Sequence, residues 1–255
     1  SIQFFLKLIK EHRFAFVMRA PGLSDDLTET DPLKTGVAPR PVTAAVAGSE
    51  KAASLVNRFL DEAKVLLAEK YPANMILLRG FAKLPALPSY AERFGLHAAS
   101  IAIHGMYRGV SSLAGMQVLD TVGSTIADQF TTLEKCWDAY EFFYMHVKAT
   151  DTCGENGDFD GKVRVIEEVD ALIPRLTALQ PDVVIISGDH SSPAVMKAHS
   201  WHPVPTLVYS KYARPDGIEK FGERVCARGS LGILPAMDIM PIALANAGRI
   251  AKYGA

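Results

Sequence analysis

The stretch VVIISGDHSSPAVMKAHSWHPVPTLVYS, residues 183–210, decides the fold. Two apolar runs, 182–187 and 206–210, lie on either side of a polar loop. Both runs are rich in β-branched residues and almost continuously apolar, which is typical of strands buried on both faces of a parallel sheet. The pattern therefore predicts an α/β fold built on a parallel sheet.

The rest of the chain alternates strands and helices in the same way. We predict strands over 13–19, 74–80, 97–105 and 141–147, and helices over 49–70, 124–140, 161–179 and 238–254. Pro174 is expected to bend or end the third helix. The Pro-rich segment 81–89 indicates a crossing between two domains, which we place at 1–88 and 89–255.

The composition of the 255 residues argues against several classes of protein. A net charge of −1 gives no basic footprint for nucleic acid. Three cysteines without a CxxC motif favour a reducing, cytoplasmic setting over a disulfide framework. No apolar run is long enough to cross a bilayer, so we expect no membrane partner. The opening residues make a poor signal peptide.

Acidic and imidazole side chains follow the predicted strands. Asp151 follows 141–147, Asp189 and His190 follow 182–187, and His199 precedes 206–210. Ligands of open parallel sheets bind just past the carboxyl ends of the strands, so these loops can meet at one edge. Carboxylate and imidazole suit Mn, Zn or Mg. Two such ions a few ångströms apart would serve phosphoryl transfer.

The same residues are also compatible with a capped turn, because Asp and Ser favour turns. His202, directly before Pro203, is interpreted as a loop residue outside the ligand set. We interpret 149–162 as a surface loop that departs from the EF-hand pattern. Within it, Asp151 and Glu155 are four residues apart and can bind one ion.

Three arginines sit at or shortly after predicted strand ends, next to Gly or small residues: Arg19, Arg79 and Arg108. The guanidinium fork matches phosphate and carboxylate geometry. Each of them alone is more simply interpreted as a surface arginine at a strand end. Because all three lie in this same setting, we expect some of them to bind a phosphate.

Several segments carry a family resemblance. VRVIEEVD, GDHSSPAVMKAHSWHPVP and FGERVCARGSLGILPAMDIMPIALANAGR closely resemble the archaeal-type, cofactor-independent phosphoglycerate mutases of the alkaline phosphatase-like metalloenzyme superfamily. MRAPGLSDDLTETDP and NMILLRG resemble that family's inserted substrate domain. The resemblance implies part of an alkaline phosphatase-like core together with part of an inserted α/β substrate domain, within 89–255 and 1–88 respectively.

The resemblance also implies a chemistry. The family interconverts 2-phosphoglycerate and 3-phosphoglycerate through a phosphoserine intermediate on two divalent metals. Manganese is the favoured ion, with Mg, Zn and Co as the alternatives. Asp151 and His199 match ligands of one ion, and Asp189 and His190 match ligands of the other. Glu155 stands where many relatives have a histidine, as a third ligand of the first ion.

The resemblance further places Arg79, with Arg19 and Arg108, on the phosphoglycerate. The family's serine nucleophile and one further aspartate come from an N-terminal segment that has no counterpart here. We therefore expect the sequence to be roughly the C-terminal two thirds of an enzyme, inactive alone. The alternatives are a metal-dependent phosphomonoesterase on the same scaffold and a non-catalytic metal-binding remnant.

Overall fold

The chain divides into two units between Ala86 and Leu87. The computed structural model describes residues 2–10 and 12–250. None of the helices within these ranges combines the length and the apolar character that a membrane crossing requires.

The first unit, Ser1–Ala86, packs a hairpin against a helix. Strands β1 (Gln3–Lys10) and β2 (Arg13–Arg19) pair antiparallel, and helix α1 spans Glu50–Leu67. Alternate residues of β2 are half-buried, as expected for a strand with one face on a core. Its Phe16 stacks on Phe59 of α1 with ring centroids 4.4 Å apart. The prediction of a strand over 13–19 is confirmed, whereas β1 was not predicted.

The predicted strand 74–80 is wrong, because this segment forms no ladder with another strand. Leu78 is buried in the core of the first unit. Its backbone N–H donates to the side chain of Thr30 at 2.7 Å, and its carbonyl accepts from the Thr30 backbone at 3.1 Å. The backbone N–H and carbonyl of Leu78 therefore bond to Thr30 rather than to a neighbouring strand.

The second unit, Leu87–Ala255, contains the parallel sheet. Its elements are α2 (Tyr90–Phe94), β3 (Ala98–Ala102), α3 (Gly105–Leu113), β4 (Gln117–Val118), α4 (Ile126–Cys136), β5 (Phe142–His146), α5 (Ala149–Asn156), α6 (Phe159–Ala178), β6 (Val183–Ile186), β7 (Leu207–Ser210), α7 (Glu223–Cys226) and α8 (Ile239–Asn246). The sheet order is β4–β3–β5, with both pairings parallel. This confirms the α/β class with a parallel sheet.

The central strand β3 is buried at all five residues. Helix α4 covers it with Phe130, which is fully buried, and with Gln129. The Gln129 amide donates to the carbonyls of Ile101 and His146, at 3.2 and 2.8 Å. These carbonyls lie near the carboxyl ends of β3 and β5. The buried Gln129 side chain therefore joins the two strands at the sheet edge where the sequence predicts the metal ligands.

Strands β6 and β7 pair antiparallel, which corrects the parallel arrangement expected from their apolar runs. The expected burial on both faces is also wrong, since only Val184 and Ser210 of these strands are buried and Tyr209 is exposed. Continuous apolar character does not encode strand direction. Helix α6 continues to Ala178 through Pro174 instead of ending there. Arg175 beside the proline binds Glu134 of α4 at 2.6 Å, which anchors the last turn.

Two further elements differ from expectation. Helix α3 was not predicted, and Arg108 lies within it rather than in a loop after a strand. Helix α5 occupies the first part of 149–162, which we interpreted as a loop. The predicted closing helix 238–254 is observed only over Ile239–Asn246, which forms α8. Residues 247–250 are not helical, and 251–254 lie outside the described part of the chain.

Candidate metal centre

Helix α5 presents Asp151 directly after β5. The carboxylate lies in the first turn of the helix and is only 7% exposed. A negative charge in this position is favoured by the unpaired N–H groups and the dipole of the helix. Four residues later, one turn along the same face, the helix presents Glu155.

The loop between β6 and β7 folds back on itself and supplies the histidines. A backbone bridge joins Ser191 to Ser200, with the Ser200 N–H donating to the Ser191 carbonyl at 2.9 Å. This bridge places His190 beside His199, so that their ring centroids are 3.8 Å apart. Residues nine positions apart in sequence therefore present their imidazoles together.

Asp151 meets both histidines. Its Oδ1 lies 3.4 Å from His199 Nε2 and 3.8 Å from His190 Nδ1. One ligand atom from each of the three residues falls within 4.8 Å of the other two. Glu155 lies beside this group, with its Oε1 3.4 Å from His199 Nε2. Sequence-predicted residues from α5 and from the β6–β7 loop thus converge on one point.

The donor set fits a divalent cation. Asp151 Oδ1 and His190 Nδ1 are buried and make no hydrogen bond to the described residues. Buried polar atoms almost always have a partner, because leaving them unpaired costs free energy. Divalent cations held by the carboxylate and the imidazoles would give these atoms partners, and hard oxygen with imidazole is a ligand set that suits Mn, Zn or Mg.

Asp189 faces a different neighbour from these three residues. Its Oδ2 accepts a hydrogen bond from the Tyr107 hydroxyl at 2.6 Å and lies 3.5 Å from His190 Nε2. His190 thus stands between the two carboxylates, with Nδ1 toward Asp151 and Nε2 toward Asp189. The sequence resemblance paired His190 with Asp189. In the structure, the possible ligand atoms that lie within 4.8 Å of one another belong to His190, Asp151 and His199.

Charge and hydrogen bonding keep both aspartates ionised. Burial by itself would raise the pKa of Asp151, but the hydrogen bond and charge of Lys148 lower that pKa below its ordinary value. The pKa of Asp189 is likewise lowered, since the Tyr107 hydrogen bond and nearby His190 outweigh burial. Nearby, burial lowers the pKa of His146 to about 4, so this imidazole is neutral at pH 7.

Sequence reasoning missed Lys148, Tyr107 and His146. Lys148 is three residues before Asp151 and its ammonium bonds the Oδ2 of that carboxylate. The spacing of three residues between Lys148 and Asp151 could have indicated this contact, because it places the two side chains on one helical face once 149–156 is recognised as a helix. Tyr107 lies 82 residues from Asp189, a separation at which local pattern carries no information.

The three candidate arginines have partners of their own. Arg79 lies 3.6 Å from Glu29 and 3.4 Å from Asp31 within the first unit. Arg19 lies over the ring of Phe5, at 5.1 Å from its centroid. Arg108 donates to Asp120 at 2.7 Å and to the Leu119 carbonyl at 2.9 Å. His202 binds Ser200 at 2.9 Å through Nδ1.

Removing the Lys148 charge should tighten metal binding at this centre. Lys148→Gln takes away an ammonium that competes for Asp151 Oδ2 and repels a second cation. At an effective dielectric constant near 20, such a pair interacts by several kcal/mol, so an apparent gain of about tenfold in Mn²⁺ affinity is a conservative expectation.

Isothermal titration with Mn²⁺ checks this result. Lys135→Gln, an equal charge change at an exposed position of α4, is the matched control and should leave affinity unchanged. A fall in affinity in Lys148→Gln would show instead that the lysine assists the ion.

Comparison with known proteins agrees with this geometry. A family model described as the metalloenzyme superfamily matches residues 33–246. The chain belongs to the metalloenzyme superfamily. The resemblance inferred from the sequence motifs is thereby confirmed, and membership of this superfamily together with the donor cluster implies that divalent metals bind.

Within the superfamily, the chain is similar to phosphoglycerate mutases. It is 48% identical over 246 residues to a probable 2,3-bisphosphoglycerate-independent phosphoglycerate mutase of Thermosipho africanus, which covers 96% of this chain and 61% of the relative. A probable mutase of the same description from Aquifex aeolicus is 45% identical over 260 residues, covering 100% of this chain and 64% of the relative.

A solved structure gives the same result. The cofactor-independent phosphoglycerate mutase from Thermoplasma acidophilum superposes with a TM-score of 0.73 at 26% identity, covering 97% of this chain and 66% of that one. The chain therefore spans less than two thirds of the length of these three relatives.

Proposed function

We propose that the gene product containing this chain is a cofactor-independent phosphoglycerate mutase. It would interconvert 2-phosphoglycerate and 3-phosphoglycerate on two divalent ions, with manganese preferred. The observation that carries the proposal is the convergence of Asp151, His190 and His199, with two buried unpaired ligand atoms, in a chain 45–48% identical to probable mutases.

The ligands divide between two ions in this proposal. Asp151, His199 and Glu155 hold one ion, since both carboxylates lie 3.4 Å from the same His199 nitrogen. Asp189 and His190 hold the other, as the family resemblance implies: His190 Nε2 lies 3.5 Å from Asp189 Oδ2, and its Nδ1 faces Asp151 between the two ions. Bound divalent ions supply positive charge that stabilises the phosphoryl group in transfer and lower the pKa of an attacking hydroxyl. Lys148 keeps Asp151 ionised when the ion is released.

The two units take separate roles in the proposal. The unit Ser1–Ala86 supplies Arg79, assisted by Arg19, as the contacts of the glycerate. The unit Leu87–Ala255 supplies the metal ligands and Arg108. A cavity of about 440 Å³ in the first unit is lined by residues that include Glu29, Asp31 and Arg40, next to Arg79. Arg79 can exchange its two carboxylate neighbours for a substrate anion.

The reaction conserves the phosphoryl group. The O–P bond to one glycerate hydroxyl breaks as an acceptor serine forms a new one, and the group then returns to the other hydroxyl with no net consumption of water. The acceptor serine stays a prediction from the resemblance. The glycolytic role and the cytoplasmic location also remain predictions that follow from this assignment.

The test is an assay of the complete gene product. Incubated with 3-phosphoglycerate and Mn²⁺ but without 2,3-bisphosphoglycerate, it should form 2-phosphoglycerate, seen by ³¹P NMR, without releasing inorganic phosphate. EDTA should abolish turnover. Release of phosphate without isomerisation would establish a phosphomonoesterase, and metal binding without turnover would establish a binding remnant.

A further inference from the structure

Tyr107 links helix α3 to the β6–β7 loop. Its side chain is buried, at 7% exposed, and its hydroxyl donates to Asp189 Oδ2 at 2.6 Å. The residue lies one turn into α3, directly after the central strand β3. The phenol therefore reaches the candidate metal centre from an element that supplies none of the predicted ligands.

The ring of Tyr107 is fixed by its surroundings. It stacks on His146 at the end of β5, with centroids 3.4 Å apart and planes 20° from parallel. The start of α3 is fixed as well, since His104 caps it by accepting a hydrogen bond from the Met106 N–H at 3.3 Å. A donor locked in this way holds its acceptor in one orientation.

Asp189 is oriented by one hydrogen bond to each oxygen. Its Oδ1 accepts from the His190 backbone N–H at 3.1 Å, and its Oδ2 accepts from Tyr107. A carboxylate offers about four lone-pair positions, so two hydrogen bonds leave positions open on both oxygens. This is the arrangement expected of a metal ligand with a supporting partner, rather than of a structural cap with all its positions used.

We propose that Tyr107 is a positioning residue that holds the Asp189 carboxylate in place for the second divalent ion. The inference rests on the proposed two-ion function and deepens it, because it assigns a role to a residue outside the predicted ligand set. Outer partners of this kind commonly change metal affinity by 10- to 100-fold when they are removed. The effect should be confined to the ion that Asp189 holds.

The test is Tyr107→Phe in the complete gene product, which keeps the ring on His146 and removes only the hydroxyl. Mn²⁺ binding is followed by calorimetry and by electron paramagnetic resonance, with phosphoglycerate absent. The wild type should bind two ions. The variant should lose about 10- to 100-fold in affinity for one ion and keep the affinity for the other.

Tyr90→Phe is the matched control. Tyr90 belongs to α2 and packs its ring on Phe142, with centroids 4.9 Å apart. The same hydroxyl deletion there should leave both affinities unchanged. Unchanged affinities in Tyr107→Phe would overturn the inference, as would an equal loss for both ions, which would indicate general loosening of the fold.

The binding readout separates this inference from the mutase proposal. A wild type that binds two ions but forms no 2-phosphoglycerate would refute the mutase, while a selective loss in Tyr107→Phe would still support the positioning role. A wild type that binds only one ion would overturn the positioning role, whatever its activity.

Discussion

Asp151→Asn is expected to weaken divalent-metal binding at the three-residue cluster by more than about 100-fold. Loss of an outer partner already costs up to about that factor, and here a proposed ligand itself is removed. Asp151 is the member of the cluster that contacts both histidines, and it is the one carboxylate among the three. The amide keeps the shape but removes the negative charge that would offset the cation.

Metal titration of the purified protein checks this expectation. Asp170→Asn is the matched control, because it makes the same charge change at an exposed position of α6. That variant should bind metal as the wild type does. An Asp151→Asn protein with wild-type affinity would remove Asp151 from the ligand set and, with it, the centre as described.

Gly154→Ala is expected to disrupt the same centre without touching a ligand. A methyl group on Gly154 would lie 2.2 Å from the backbone carbonyl oxygen of Ser192, far inside the closest approach of real atoms. Ser192 belongs to the loop that carries His190 and His199, so the loop must move away from α5. Overpacking of this kind costs about 1–3 kcal/mol, and the shift should also weaken Mn²⁺ binding by at least about tenfold.

Thermal unfolding and metal titration together measure this effect. Gly109→Ala is the control, since it lies in α3 with open space around an added methyl group. There the higher helix propensity of alanine should stabilise by up to about 1 kcal/mol. If Gly154→Ala unfolds and binds metal as the wild type does, the close packing of α5 on the loop does not set the geometry of the centre.

Much of the site was predictable because its residues follow recognisable strands. The apolar run 182–187 predicts a strand, and ligands of α/β sheets gather past the carboxyl ends of the strands. Asp151, His190 and His199 could be chosen on that basis alone. What the run could not give was strand direction, which depends on the partner strand and on the path of the loop between β6 and β7.

Helix α5 was not predictable from its own residues. The segment ATDTCGEN contains Thr, Asp, Gly and Asn, which have low helix propensity. The helix is held by its packing instead. Gly154 allows close contact with Ser192, and the Lys162 ammonium donates to the Ser192 carbonyl at 2.8 Å. Because tertiary contacts override the local preference, the Lys148–Asp151 pair on one face of the helix was also hidden.

Crystals of the complete gene product grown with Mn²⁺ would test the central claim most directly, by anomalous diffraction at the manganese edge. The account predicts two peaks about 3.5–4 Å apart. One should lie within about 2.5 Å of Asp151 and His199 donor atoms, and the other equally close to Asp189 and His190. No peak within that distance of Asp151 and His199 would contradict it.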